Sequence, residues 1–215
     1  ISTTTLRSTS VGTCVVSASI ASDDRYDAAT SADKSIVVSA ASRTISMNVL
    51  ATTSYIYNET FTVSASPSVS GGAITFSAGS STACSVNSSN GLVTVTHGVG
   101  TCSITSTIAA DGNYAAATSN PQTFTVSKAG PVVTTPANIT KTYGDATFDV
   151  TDPTVSPSQG TWSFVSGTPA VASISGHTVT ILTAGTSTIT ATFSPTASTD
   201  FTDATATFTL TVNKK

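Results

Sequence analysis

The chain has 215 residues, room for one or two average domains, with 9% charged side chains and a net charge of −3. That balance leaves no electrostatic footprint for nucleic acid or an anionic membrane surface, and no apolar run approaches the ~18 residues of a membrane-spanning helix. Serine and threonine fill 79 positions (35 Ser and 44 Thr) and supply the polar faces that Lys and Glu supply in most soluble proteins.

Threonine in this quantity favours strands, because its branched Cβ suits a pleated surface better than a helix. Disorder competes for any Ser/Thr-rich chain of low charge, but the apolar positions alternate too regularly for that. The chain opens on Ile1, with neither an initiator Met nor a signal peptide, and reads as a mature product or a piece of something longer.

In chain order, the first strong element is "GTCVVSASIASDDRYDAATS" at residues 12–31, closed by "SIVVS". Its positions Cys14, Val16, Ala18 and Ile20 face one way, against Val15, Ser17 and Ser19. Next come the short strand patterns "ETFTVSA", "GAITFSA" and "LVTVT". The opening element then returns as "GTCSITSTIAADGNYAAATS" at residues 100–119, closed by "QTFTVS". It returns again as "GTSTITATFSPTASTDFTDATA" at residues 185–206, closed by "FTLTVN". The Gly-Thr pairs begin at Gly12, Gly100 and Gly185, spacings of 88 and 85 residues. Solenoid repeats run to about 20–45 residues and cannot bury a core alone. A unit about twice that size can, so the repeats read as tandem autonomous domains.

Period-two alternation marks antiparallel strands with one buried face. Several such strands in under about 90 residues predict a Greek-key β-sandwich. The expected fold class is all-β, with tandem immunoglobulin-like Greek-key β-sandwich domains. Residues 1–42 read as the C-terminal half of a repeat, and residues 43–130 and 131–215 as complete repeats. The joint "SKAGPVVTTP" carries Gly130, Pro131 and Pro136 and reads as a short, fairly stiff linker, whereas "SAASRTISMN" near Arg43 is less punctuated.

Cys102 has a natural partner in Cys84, eighteen residues earlier across the turn "NSSNG". Neighbouring strands could bring the two within bridging range. In the third copy both positions change together, to Ala172 and Ser187, as expected of residues that serve as a pair. A bridge closing so short a loop contributes about 3 kcal/mol and implies an oxidising compartment. Two reduced, buried cysteines are the alternative. The counterpart of Cys84 for Cys14 would precede Ile1, so Cys14 reads as an orphan of truncation, or of a half-unit that a neighbouring chain completes.

The stretch "NITKTYGDATFDV" at residues 138–150, with "ATTSYIYNETFTV" at its counterpart, resembles the opening of YDG/MBG-type adhesin repeats. Together with the "G-T-C-x-I … Y-x-A-A-T-S" segment, it is similar to bacterial immunoglobulin-like tandem repeats of long surface adhesins and some phage virion proteins. The resemblance implies a β-sandwich, extracellular placement, and service as a stalk or binding module. It implies no catalytic residues.

Acidic loop residues are the candidates for metal. Asp23, Asp24 and Asp27 cluster in "DDRYDA", with Asp111, Asn113, Asp200 and Asp203 in the later copies. Oxygen ligands in a loop could hold Ca²⁺, but no spacing matches a defined Ca²⁺ loop, and turn chemistry explains Asp and Asn equally well. Tyr26, Tyr114 and Phe201 recur at one register and read as corner or core residues. Trp162 reads as a strand residue packed in a core, with sugar stacking as the alternative. His97 and His177 lie in different units. No Ser/His/Asp grouping, no paired carboxylates in an expected cleft and no Cys/His metal spacing is present, so catalysis and cofactors are not expected.

The expected function is a structural spacer of an extracellular surface protein, an adhesin-like stalk. A phage virion or self-assembling filament component, and a carbohydrate-binding module, are the alternatives. The expected partners are neighbouring immunoglobulin-like repeats of the same polypeptide or filament, with a surface glycan or protein receptor left open. Neither nucleic acid binding nor membrane insertion is expected. The expected location is extracellular, at a cell surface or on a virion surface.

Overall fold

The structure, a computed structural model, describes residues 5–215, and every regular element among them is a β-strand. Alternation sets the layers. In the strand Gly100–Ile108, Cys102, Ile104, Ser106 and Ile108 are buried, while Ser103, Thr105 and Thr107 are only half-buried. One face of the strand turns inward and the hydroxyl face turns out, as the pleat requires.

This strand organises the second unit. It pairs antiparallel with Gln122–Ser127, Cys102 opposite Phe124, and with Ala117–Thr118, Ile108 opposite Ala117. Ile74–Ser77 joins its outer half. The facing sheet runs Cys84–Val86, Leu92–Val95, Thr60–Thr62. Met47, Tyr55, Val63, Val93, Val95, Ile104 and Phe124 fill the space between the sheets. Each fully buried side chain of this kind contributes about 1.5–3 kcal/mol relative to leaving it in water.

The third unit repeats the arrangement. One sheet is ordered Ile139–Thr142, Ala204–Asn213, Gly185–Pro195, Gly160–Ser166; the other is Phe148–Asp149, Thr178–Ile181, Ala172–Ser175. Val150, Phe164, Val179, Ile189, Phe208 and Leu210 lie in a second core, distinct from the first. In both units the second strand runs parallel, not antiparallel, to the closing one: Ser54–Ile56 beside Gln122–Ser127, and Ile139–Thr142 beside Ala204–Asn213. Alternation alone does not announce this, because it reports which face is buried and not strand direction.

The "KTYGD" stretch is a turn closed by its own acid. The Asp145 carboxylate accepts the Thr142 N–H at 2.8 Å, and the Asp145 N–H donates to the Thr142 carbonyl at 3.0 Å. Glu59 does the same with Ile56 in the second unit, at 3.0 and 3.1 Å. The residue between needs positive φ. Gly144 has 95° and Asn58 has 68°, and Asn is among the few side chains that tolerate that region.

The first unit has two short ladders. Gly12–Val16 pairs with Lys34–Val38, and Ser19–Ile20 with Ala29–Thr30. No residue from 5 to 42 is buried.

Candidate functional site

Two features tie parts of the chain together: a disulfide inside the second unit and a closed joint between the second and third. Cys84 and Cys102 form a disulfide with Cα atoms 5.8 Å apart, both residues buried. They lie on facing sheets rather than on neighbouring strands, so the bridge ties the two layers of the sandwich together. In the third unit Ala172 and Ser187 are fully buried. There the Ser187 hydroxyl lies 2.8 Å from that of Ser166 and accepts the Thr168 N–H at 3.0 Å. These bonds run within one sheet and its adjoining loop, so no covalent or hydrogen-bonded tie joins Ala172 to Ser187 across the layers. Cys14 is a free, half-exposed thiol.

The acidic loop residues make turns. The Asp23 carboxylate accepts the N–H groups of Arg25 and Tyr26, both at 2.8 Å. Asp111 accepts those of Asn113 and Tyr114 at 3.1 and 2.9 Å. In the third unit the Ala197 carbonyl accepts the N–H groups of Asp200 and Phe201, both at 3.0 Å. Asp24 and Asp27 are exposed, and no group of three or more His, Cys, Asp or Glu side chains able to hold a metal occurs among the described residues. The recurrent aromatic caps this corner. Tyr114 lies beneath the Arg43 guanidinium at 5.9 Å, while Tyr26 is exposed.

Arg43, in the less punctuated joint "SAASRTISMN", has a fully buried side chain. Its guanidinium donates to the carbonyls of Ala115 at 3.1 Å, Gly71 at 2.6 Å and Ala109, and to the Asp111 carboxylate at 2.9 Å. Four acceptors around a planar fork satisfy a charge that would otherwise be costly to bury. The Asn113 N–H, above all, holds the Asp111 carboxyl below its usual range; burial opposes it next, and the Tyr114 N–H and the Arg43 charge add smaller lowering effects. The signal for Arg43 was its isolation: it is the only charged residue between Lys34 and Glu59.

The joint before the third unit joins two loops 102 residues apart. The Gly98 N–H donates to the Asp200 carboxylate at 2.9 Å, and His97 Nδ1 lies 3.6 Å from the same oxygen. Tyr57 meets Phe201 edge to face, with centroids 5.1 Å apart. Ala129 donates to the Asp200 carbonyl and accepts from the Thr202 N–H, both at 3.0 Å. The loops approach so closely that a Cβ on Gly98 would lie 2.7 Å from Asp200 Cα and 2.8 Å from the Thr199 oxygen. Only glycine fits here, and the cause is contact with the next unit rather than backbone conformation.

The remaining candidates are spread apart. Trp162 is half-buried against Phe164 and Phe193. His177 pairs with Asp152 at 2.7 Å on an exposed edge of the third unit.

Neither a protein-family model nor a curated protein matches the sequence. Among solved structures, the chain is similar to Drosophila N-cadherin EC1-4 at 9% identity and a TM-score of 0.32, covering 94% of this chain and 58% of that one. It is similar to surface layer protein SbsC, domains 1-6, at 15% identity and a TM-score of 0.31, covering 95% of this chain and 35% of that one. Sidekick-1 immunoglobulin domains 1-5 match at 14% identity and a TM-score of 0.28, covering 89% and 45%. Likeness this loose carries no functional argument. The fold rests on the strand pairing described above.

Proposed function

We propose that the chain is a spacer segment of an extracellular surface protein, in which immunoglobulin-like units are strung in series and hold other modules at a distance. The observation that carries this reading is the joint at Gly98 and Asp200. A hydrogen bond, an aromatic contact and a glycine seat fix one unit on the next, whereas a passive linker would leave the units independent. The YDG/MBG-like turn and the repeat of residues 43–130 as residues 131–215 point the same way. The disulfide supports an oxidising location, outside the cell or on a particle surface. Gene neighbours separate a cell-surface stalk from a virion component. The carbohydrate-binding reading loses its best platform, because Trp162 packs against its own core.

Pulling single molecules end to end tests this reading. The two complete units should unfold in separate steps. The second should release about 6 nm less chain than its length allows, because 18 residues stay locked behind Cys84 and Cys102 at roughly 3.3–3.6 Å per residue. Reductant should restore the missing length and leave the third unit's step unchanged. A single merged step, or units that extend without measurable resistance, would remove the mechanical reading.

A further inference from the structure

The hairpin that carries Cys84 turns through "NSSNG", residues 87–91, and holds the only Asn-Gly pair in the chain, Asn90–Gly91. The turn demands the glycine. Gly91 is buried with a φ of 71°, and a Cβ there would strike the Val63 carbonyl. An exposed asparagine followed by glycine is chemically self-reactive, because no Cβ hinders the Gly91 nitrogen as it closes on the Asn90 carboxamide. The fold engages both reacting groups elsewhere. The Gly91 N–H donates to the Asn87 carbonyl at 3.0 Å, and Asn90 Oδ1 accepts the Leu92 N–H at 3.0 Å. Asn87 Oδ1 accepts the N–H groups of Ser89 and Asn90 at 3.0 and 3.3 Å and the Ser89 hydroxyl at 2.9 Å. The Gly91 carbonyl accepts the Val63 N–H at 2.9 Å, which ties the turn to the chain beside it. The third unit turns its equivalent hairpin, between Ala172–Ser175 and Thr178–Ile181, through Gly176 and His177 and has no asparagine there.

We propose that Asn90 is a self-modification site kept silent by its turn, one that deamidates when the second unit opens and then hinders its closing. The Gly91 nitrogen gives its proton to water or hydroxide and attacks Asn90 Cγ. An N–C bond forms, the carboxamide C–N bond breaks, and ammonia leaves with a proton from water. Water then opens the resulting succinimide at either carbonyl, giving an aspartate or an isoaspartate; no oxidant or reductant enters. The two products differ in what the fold can do with them. The aspartate keeps the backbone length and an acceptor oxygen for the Leu92 N–H. The isoaspartate adds one methylene to the main chain, just before the strand that sets the fully buried Val93 and Val95 opposite Val86 and Cys84. Because register fixes which face is buried, that product opposes reclosure. The inference does not depend on the joint between the second and third units, nor on load, since any opening of the second unit exposes the site.

The experiment incubates the full chain, its disulfide intact, in mildly alkaline buffer, folded in one arm and unfolded in urea in the other. Intact mass follows the conversion of amide to acid. Peptide mapping assigns the site and separates it from Asp111–Gly112, which isomerises without a change of mass. A synthetic peptide of residues 86–94, run with and without urea, corrects for the solvent. Asn90 should convert about thirtyfold more slowly in the folded chain, which is the ~2 kcal/mol of the two hydrogen bonds that must open. Asn87→Ala removes the carboxamide bonds to Ser89 and Asn90 but spares the Asn87 carbonyl, and should speed the folded reaction about fivefold. After urea is removed, chains carrying the isoaspartate should fail to regain amide protection at Val63 and Val95, whereas the Asn90→Asp variant should regain it. Amide exchange before incubation checks that each variant is folded. Equal corrected rates in the two arms would show that the turn gives no protection and would overturn the proposal. Conversion centred on another asparagine of the unfolded chain, or isoaspartate chains that refold with native protection, would overturn it as well.

Discussion

At the junction before the second unit, Ala41 donates to the Asn113 carbonyl and accepts from the Ala115 N–H; at the junction before the third, Ala129 makes the matching pair with Asp200 and Thr202. The backbone plan is shared, and the closure is not. The later joint adds the Gly98–Asp200 bond and the Tyr57–Phe201 contact. At the earlier joint Ser10 stands at the register of Gly98 and Asn113 at that of Asp200. Among the described residues, no hydrogen bond links Ser8–Val11 to Asn113 or Tyr114, and a shallow cleft lies between them. A repeat can keep the strand that leads into each unit and still choose, by one glycine and one carboxylate, whether the units lock.

The largest effect is expected on the earlier side, where Arg43 rather than a side-chain bond across the joint holds the corner. Arg43→Met removes the donor for three carbonyls and one carboxylate and should cost the second unit about 3 kcal/mol, the low end of the range because Asp111 keeps some access to water. Hydrogen exchange should show Ala115 losing protection while Thr202 keeps its own. Equal losses at both joints would mean that the corners are not independent.

Gly98→Val attacks the later joint directly. The added side chain meets the Asp200 backbone, and overpacking of this kind costs about 1–3 kcal/mol. The loss should appear as faster exchange at Ala129 and Thr202, with both cores intact by near-ultraviolet circular dichroism. Ser10→Val should leave the Ala41 bonds unchanged, and a comparable effect there would erase the distinction between the joints. Asp200→Ala is milder, about 1 kcal/mol for one net hydrogen bond, whereas Asp200→Asn keeps an acceptor oxygen and should change exchange at Gly98 least.

Acid gives the smallest difference and the sharpest sign. The Asp111 carboxyl is held below its ordinary value in the folded chain. Its contribution is therefore complete above the unfolded value of about 3.9 and is lost as pH falls through the lower folded value. The third unit closes the same corner with the Ala197 carbonyl, which does not titrate. Below about pH 4, protection should fall at Asn113 and Tyr114 before it falls at Phe201. Asp111→Asn should abolish that order.

Much of the fold was legible because strand alternation and an 88-residue register are local and repeated. Cys14, Cys102 and Ser187 mark one position, and the pairings of Cys14 with Ile36 and Cys102 with Phe124 follow from it. The stretches around Gly144 and Asn58 were matched in the sequence, but the turn that both form was not read from them, since its positive φ shows only in the backbone. The joint was not visible. Asp200 read as a loop oxygen with no spacing to explain it, because its partner Gly98 lies in another unit and contributes only a backbone N–H. Arg43 was hidden for a related reason, as three of its four acceptors are carbonyls, which carry no sequence signature.

Residual dipolar couplings across the second and third units test the locked joint without labels. Backbone amides of residues 43–127 and 131–213 should fit one alignment tensor in the wild-type chain and two in Gly98→Val. Two unequal tensors in the wild-type chain would show that the Gly98–Asp200 contact does not hold the units together, and the rigid spacer would fall with it.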